Sequence, residues 1–122
     1  MKNNSKGLRH AQKALCDSLN GLAQCFRNEA AFRQECFFGV ANMIAAVVLP
    51  ISWVESVVLI LIYLMLPIVE LLNTAVEEIV DLVSPQWNEH AKKAKDYASA
   101  AVFMVVVLIV AVWCVVLFRA FW

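Results

Sequence analysis

Three long stretches without any Asp, Glu, Lys or Arg constrain this chain more than any other feature of its sequence. They run from Cys36 to Val54, from Ser56 to Val69 and from Tyr97 to Phe118. A helix needs about 20 apolar residues to cross a bilayer, and 62% of the whole chain is hydrophobic. The pattern predicts an all-α membrane protein, in which residues 1–122 form a single membrane domain. The predicted transmembrane helices span about residues 30–49, 52–80 and 96–119.

Residues 1–28 show a different pattern, in which apolar residues recur every three or four positions. These residues are Leu8, Ala11, Leu15, Leu19, Leu22 and Phe26. The spacing is that of an amphipathic helix, and basic residues lie opposite the apolar face. The segment lacks the continuous apolar core of a signal peptide. It therefore favours a helix on the membrane surface over a frayed terminus.

The charge distribution sets the orientation and excludes some partners. The formal net charge is zero, so we expect no nucleic-acid partner. Lys and Arg concentrate in the N-terminal arm and in the 84–95 loop, which predicts that both lie in the cytoplasm. Four cysteines without metal-binding spacing are interpreted as inert thiols. Three short spans enclose little volume, so an oligomer is expected.

Polar residues align on the second predicted span. A helix advances about 100° per residue, so Asn73, Glu77 and Asp81 lie within about 80° of one another and of Glu70. We name these four residues the polar stripe. Glu78 lies about 80° from Glu70 and is interpreted as a rim or solvated charge. Pro67, one turn before Glu70, either bends the helix or serves packing.

Two further polar sets lie at the same cytoplasmic height. One contains Glu29, Arg33 and Glu35 at the start of the first span, and the other contains Lys95 and Asp96 at the start of the third. Carboxylates bind Mg²⁺, a carboxylate accepts a hydroxyl proton and a lysine neutralises phosphate charge. The three glycines offer no phosphate-binding loop. Residue chemistry alone fits a phosphoryl-transfer site or a proton relay.

Three segments resemble the bacterial integral-membrane diacylglycerol kinase family, which includes undecaprenol kinases. They are "NEAAFRQE" (28–35), "VELLNTAVEEIVD" (69–81) and "AKDYASAAV" (94–102). The resemblance extends over nearly the whole chain. It implies a homotrimeric bundle in the bacterial inner membrane, with the N-terminus in the cytoplasm, that uses MgATP to phosphorylate a lipid hydroxyl at sites between subunits.

The resemblance also implies roles for individual residues. Glu70 would be the general base, and Glu29 and Glu77 would hold Mg²⁺. The residues implied in ATP binding are Glu29, Asn73, Glu77, Asp81, Lys95, Asp96 and His10, which stands with Arg9 where the family has an arginine. The residues implied in lipid binding are Arg33, Gln34, Glu35, Glu70, Ser99 and Trp113.

Some features depart from the family pattern. Asp17 occupies the position of an aromatic residue expected near adenine, and it cannot stack. "DLVSPQWNEHAKKAKD" (81–96) is closer to the undecaprenol kinases, whereas "RNEAAFRQE" (27–35) is closer to the diacylglycerol kinases. Diacylglycerol is the leading substrate hypothesis and undecaprenol the alternative. A small proton-coupled transporter with Glu70 as its relay is the rival from another class.

Overall fold

The structure is a computed structural model that describes the backbone of residues 2–122 and the side chains from Ser5 onward. Four helices account for almost all of this part of the chain. They are α1 (Lys2–Asn28), α2 (Ala30–Val48), α3 (Trp53–Val83) and α4 (Glu89–Phe121). α2, α3 and α4 are each long and apolar enough to cross a membrane. The predicted all-α membrane fold, with one N-terminal helix and three spans, is confirmed.

Glu29 and Arg33 form the junction between α1 and α2. Glu29 has an extended backbone, with φ −113° and ψ 111°, and interrupts the helical path for a single residue. The Arg33 guanidinium donates to the carbonyl oxygens of Phe26 at 2.8 Å and Arg27 at 2.7 Å. A cation at a helix C-terminus satisfies carbonyls that have no partner within the helix. Arg33 therefore holds the end of α1 against the first turn of α2.

Local capping explains where α3 and α4 begin. Ser52 and Glu55 form a reciprocal capping box at the start of α3. The Asn88 side chain accepts from the backbone N–H groups of His90 and Ala91, which starts α4 at Glu89. The helix thus begins ahead of the span predicted from about residue 96, because the cap lies in the polar segment before the apolar one. α3 continues as one helix through Pro67.

α3 packs between α2 and α4, and its buried side chains form two small clusters along the bundle. Leu59 packs with Ala46 and Val116, and Leu66 packs with Val105 and Ile109. Large apolar side chains elsewhere are exposed, among them Phe37 at 73% and Phe103 at 67%. Exposed apolar side chains are expected where a chain faces lipid or further helices rather than water.

In the part of the chain that the structure describes, four side-chain hydrogen bonds join α2 to α3 or α4. Ser56 Oγ donates to Ala46 O at 2.6 Å, and Tyr63 OH donates to Glu35 O at 2.6 Å. Asn42 Nδ2 donates to Leu59 O at 3.3 Å, and Asn42 Oδ1 accepts from Trp113 Nε1 at 2.8 Å. Polar side chains in a membrane protein commonly bond between helices. These contacts fix α2 against α3 at several heights along the bundle.

Candidate active site at the polar ends of the helices

A cavity lies between α1, the start of α2 and one side of α3, and we name it the α1 cavity. It has a volume of about 400 Å³. Its polar lining consists of Gln24, Asn28, Glu29, Thr74 and Glu78. Thr74 and Glu78 are one turn apart, so they share a helix face. The cavity thus presents two carboxylates, Glu29 from the junction of α1 and α2 and Glu78 from α3.

Cys25 also lines the α1 cavity and is buried. Burial raises the pKa of its thiol above the ordinary value, and the neighbouring carboxylates Glu29 and Glu70 add to this effect, although a hydrogen bond with Thr74 opposes it. A raised pKa keeps the thiol protonated at neutral pH, and a protonated thiol is a poor nucleophile. For Cys25, this behaviour agrees with the interpretation of an inert thiol.

A second cavity lies between α3, the connecting loop and the start of α4, and we name it the α4 cavity. It has a volume of about 290 Å³ and is lined by Asp81, Trp87, Asn88, Lys92 and Lys95 among others. Lys95 Nζ donates to Asp81 Oδ1 at 2.7 Å, which joins α4 to the polar stripe. This contact holds a lysine at the aqueous end of the stripe.

Asp96 follows Lys95 in sequence but points elsewhere. Its carboxylate pairs with Lys92 at 2.8 Å and its side chain is 61% exposed. Neighbouring residues on a helix are about 100° apart, so the two side chains reach different surroundings. The structure brings Lys95 to the stripe of its own chain and leaves Asp96 facing outward.

Below the polar level, an apolar groove runs between α2 and α3, and we name it the α2–α3 groove. It has a volume of about 220 Å³. Gly39, Met43, Ile60, Leu64 and Pro67 supply much of its apolar surface. Glu35 lines its end nearest the α1 cavity. The groove lies in the apolar part of the bundle, where lipid chains would surround the protein.

Glu35, at the end of the α2–α3 groove, lies beside Glu70, which also lies near Cys25 in the lining of the α1 cavity. Both carboxyl groups are half-buried, and they lie close enough to interact with each other. Glu35 Oε2 is buried and has no hydrogen-bond partner among the described residues. The structure therefore places Glu35, a candidate residue of the lipid site, beside Glu70, the candidate general base.

Asn73 and Glu77 occupy the middle of the polar stripe. Asn73 Nδ2 donates to Glu77 Oε1 at 3.4 Å. Asn73 Oδ1 is buried and has no partner among the described side chains, so it can accept a further donor. About the helix axis, Asn73 and Glu77 lie on the opposite side of Glu70 from Thr74 and Glu78. The stripe thus runs between the face that lines the α1 cavity and the face that lines the α4 cavity.

Within one chain, the candidate metal ligands Glu29 and Glu77 have different immediate neighbours. Glu29 shares the α1 cavity with Glu78, whereas Glu77 bonds to Asn73. Over the part of the chain that the structure describes, no group of three or more His, Cys, Asp or Glu side chains is positioned to hold a metal ion. Mg²⁺ usually takes only one or two carboxylates and completes its shell with water and phosphate oxygens. The carboxylates present fit such an ion.

Glu78 is exposed, as its interpretation as a rim or solvated charge predicted, but it also lines the α1 cavity, which the sequence interpretation did not foresee. The interpretation compared its angle only with Glu70 and assigned it to the rim. Thr74, four residues earlier, marks the same face as polar, and this spacing was the available signal. The neighbouring helix that completes the α1 cavity could not be read from α3 alone.

The remaining candidate residues occupy several surroundings. Arg33 donates to the carbonyls at the end of α1. The Trp113 indole N–H donates to Asn42, within the bundle. Gln34, Ser99 and His10 are exposed. The single chain brings Glu35 to Glu70 and Lys95 to Asp81, but it does not gather all candidate residues into one cluster.

These features define a class, a helical integral membrane protein with acidic side chains grouped at one end of its spans. Residues 16–117 match the family model described as prokaryotic diacylglycerol kinase. The diacylglycerol kinase of Escherichia coli (strain K12) is 39% identical over an alignment of 124 positions that covers 99% of each chain. The diacylglycerol kinase of Pseudomonas aeruginosa is 40% identical over 91% of this chain and 90% of its own. That of Haemophilus influenzae is 36% identical over 92% and 95%, respectively.

The chain belongs to the prokaryotic diacylglycerol kinase family. This confirms the resemblance inferred from the three segments of sequence. A kinase of this family carries out a nucleotide-dependent reaction, which favours the kinase over the transporter.

Proposed function

We propose that the chain transfers the γ-phosphoryl group of ATP to the hydroxyl of diacylglycerol and so forms phosphatidic acid. The names of the relatives support this substrate. The observation that carries the proposal is the position of Glu70 and Glu35, beside the polar α1 cavity and the apolar α2–α3 groove. A lipid hydroxyl arrives from the apolar side and a nucleotide from the polar side, so the two substrates meet at Glu70.

The chemistry requires one proton transfer and one phosphoryl transfer. The Glu70 carboxylate accepts the proton of the lipid hydroxyl, and the hydroxyl oxygen forms a bond to the γ-phosphorus. The bond between the γ-phosphorus and the bridging oxygen breaks, and ADP leaves. Glu70 is half-buried, which limits access of water that would otherwise compete with the lipid as acceptor.

Glu29 and Glu77 are proposed as the residues that hold Mg²⁺. Both are half-buried carboxylates near the polar ends of their helices. The bound ion would neutralise negative charge on the phosphates. Asn73 donates to Glu77 and thereby orients the carboxylate toward the polar stripe.

The proposed ATP contacts are the two metal-binding glutamates together with Lys95, Asp96, Asn73, Asp81 and His10. Lys95 lines the α4 cavity and donates to Asp81. In this position its ammonium would contact phosphate oxygens. Trp87 lines the same cavity with an indole that is 79% exposed. Because Asp17 cannot stack on adenine, Trp87 is the aromatic surface that the α4 cavity offers to a base.

The residues proposed to line the lipid site with Glu70 are Arg33, Gln34, Glu35, Ser99 and Trp113. Glu35 connects Glu70 to the apolar groove, and Ser99 is exposed in the first part of α4. Arg33 and Trp113 already donate to partners inside the chain, so their contribution to this site is to shape it.

The protein is proposed to act as a homotrimer in the bacterial inner membrane, with its N-terminus in the cytoplasm and residues 1–122 as one membrane domain. The basic N-terminal arm and the Lys92, Lys93 and Lys95 segment support this orientation. Exposed apolar faces and the outward-facing Asp96 support assembly. Sites between subunits would add residues that one chain does not gather.

A lipid panel tests the substrate. Purified protein in micelles, supplied with γ-labelled MgATP, is given diacylglycerol or undecaprenol, and labelled lipid is measured. We expect faster labelling of diacylglycerol. Preferential labelling of undecaprenol would change the proposed substrate but keep the proposed kinase reaction. If neither lipid became labelled, the kinase proposal would be contradicted.

A further inference from the structure

Tyr63 makes two contacts with the same turn of α2. Its hydroxyl donates to the backbone carbonyl of Glu35 at 2.6 Å. Its ring lies against Gly39, where an added Cβ would come within 2.9 Å of the ring carbon Cε1. Glu35 and Gly39 are the two ends of one helical turn. A single side chain from α3 therefore fixes both ends of this turn.

The direction of groups on a helix connects this turn to Glu70. Carbonyl groups point toward the C-terminus of a helix and side chains tilt toward its N-terminus. The Glu35 carbonyl therefore points down α2 toward Tyr63, while the Glu35 carboxyl points up toward Glu70. Tyr63 and Glu70 are seven residues apart, about two turns or 10 Å, and share one face of α3. Glu35 is thus held between two residues of the same helix face.

The Glu35 carboxyl has few other restraints. It is half-buried and adjoins the Glu70 carboxyl. Its Oε2 has no hydrogen-bond partner among the side chains that the structure describes. A glutamate has several rotatable bonds, so the position of its carboxyl depends on where the backbone is held. The backbone at Glu35 is held by the hydrogen bonds of α2 itself and, from α3, by the Tyr63 hydroxyl.

We propose that Tyr63 is a positioning residue for phosphoryl transfer, which fixes the turn from Glu35 to Gly39 so that the Glu35 carboxyl stays beside Glu70. This inference rests on the proposed function. Tyr63 lines the α2–α3 groove and neither polar cavity. Loss of its hydroxyl therefore affects the reacting pair and leaves nucleotide binding intact.

The first test compares two hydroxyl deletions on the same pair of helices. Tyr63→Phe keeps the ring on Gly39 and removes the bond to Glu35. Ser56→Ala removes the matched bond from α3 to the carbonyl of Ala46, which has the same length of 2.6 Å but lies far from Glu70. We expect Tyr63→Phe to lower kcat about fivefold, the effect of one hydrogen bond, with KM for MgATP within about twofold of wild type. Ser56→Ala retains the wild-type kcat.

A double-mutant cycle tests whether Tyr63 acts through Glu35. Once Glu35→Gln has removed the carboxylate, Tyr63→Phe is expected to lower kcat no further. Gly39→Ala pushes the ring and is expected to lower kcat in the wild-type background, as Tyr63→Phe does. An unchanged kcat for Tyr63→Phe, an equal loss for Ser56→Ala, or a full effect in the Glu35→Gln background would each overturn the inference alone. Absence of turnover by the wild-type protein would overturn the proposed function and this inference with it.

Discussion

Glu77 and Glu78 are adjacent on α3, yet they face different surroundings. Glu77 is half-buried and accepts a hydrogen bond from Asn73, whereas Glu78 is exposed and lines the α1 cavity opposite Glu29. The 100° step between neighbouring helical residues separates them. Only one of the two lies on the stripe that contains Glu70, so their substitutions have different consequences.

Glu77→Gln tests the proposed metal ligand. The substitution replaces the carboxylate with an amide of nearly the same size and so removes the charge that attracts Mg²⁺. We expect the half-saturating Mg²⁺ concentration to rise about tenfold, which corresponds to ~1.4 kcal/mol. The measurement is turnover against Mg²⁺ at fixed ATP. Glu89→Gln, which removes an exposed carboxylate paired with Lys93, serves as the control, and an unchanged Mg²⁺ requirement for Glu77→Gln would refute the assignment.

The residues of the polar stripe could be predicted from sequence because they lie on one helix. Their angles follow from the helical period alone. The partner of each residue could not be predicted in this way, since Glu35 and Lys95 come from other helices. The role of Arg33 as a cap on α1 was also hidden, because it depends on the single extended residue at Glu29.

Among the helices, the end of α3 and the start of α4 are joined by Asp81 and Lys95. Both side chains are partly exposed, at 43% and 67%, and exposed ion pairs contribute about 0–1 kcal/mol to stability. The pair therefore does little to hold the helices together. Its effect is to keep the Lys95 ammonium at the α4 cavity, ready for phosphate oxygens.

Lys95→Gln tests this interpretation. Removal of the ammonium is expected to raise KM for ATP about tenfold, since its charge-assisted hydrogen bonds to phosphate oxygens are lost, while the melting temperature changes little. Lys93→Gln is the matched control, because Lys93 pairs with Glu89 on the surface. Steady-state kinetics at several ATP concentrations measure the effect. Equal KM values for the two variants would contradict the role of Lys95.

Asn42 joins three helices through its single amide. It accepts from Trp113 on α4 and donates to the Leu59 carbonyl on α3. Asn42→Ala removes both bonds and is expected to lower the free energy of unfolding by about 1–2 kcal/mol. Unfolding with sodium dodecyl sulfate in mixed micelles, followed by tryptophan fluorescence, measures the loss. Ser18→Ala removes a hydrogen bond within α1 only. A comparable loss of stability for this variant would contradict the role of Asn42 in joining the helices.

The existence of the helices was predictable and some of their ends were not. Charge-free stretches set the three spans because hydrocarbon excludes charge. The start of α4 at Glu89 depends instead on the Asn88 cap in the polar segment. Hydropathy is insensitive to such a cap, so it located the apolar part of the helix rather than its first turn.

For the whole molecule, the direction of Asp96 bears on how the sites are shared. Lys95 contacts the stripe of its own chain, while Asp96 faces outward. In the proposed homotrimer, Asp96 would serve the site of a neighbouring subunit. Two inactive variants could then restore each other, because a mixed trimer contains some sites with both native residues.

Mixing Glu70→Gln with Asp96→Asn tests this arrangement. If each site takes Glu70 from one subunit and Asp96 from the next, random assembly of equal amounts gives about a quarter of the wild-type activity. The measurement is lipid phosphorylation after the two variants are unfolded and refolded together. Each variant refolded alone is the control. Activity no greater than that of the separate variants would show that one chain supplies both residues.

Glu70 is proposed to accept the proton from a lipid hydroxyl during phosphoryl transfer from MgATP. Single-turnover labelling of diacylglycerol by the wild-type protein and Glu70→Gln, with MgATP binding measured in parallel, tests this role. We predict rapid labelling by the wild type and a loss of at least about 100-fold for Glu70→Gln, with unchanged MgATP affinity. A near-normal rate for Glu70→Gln would contradict this role.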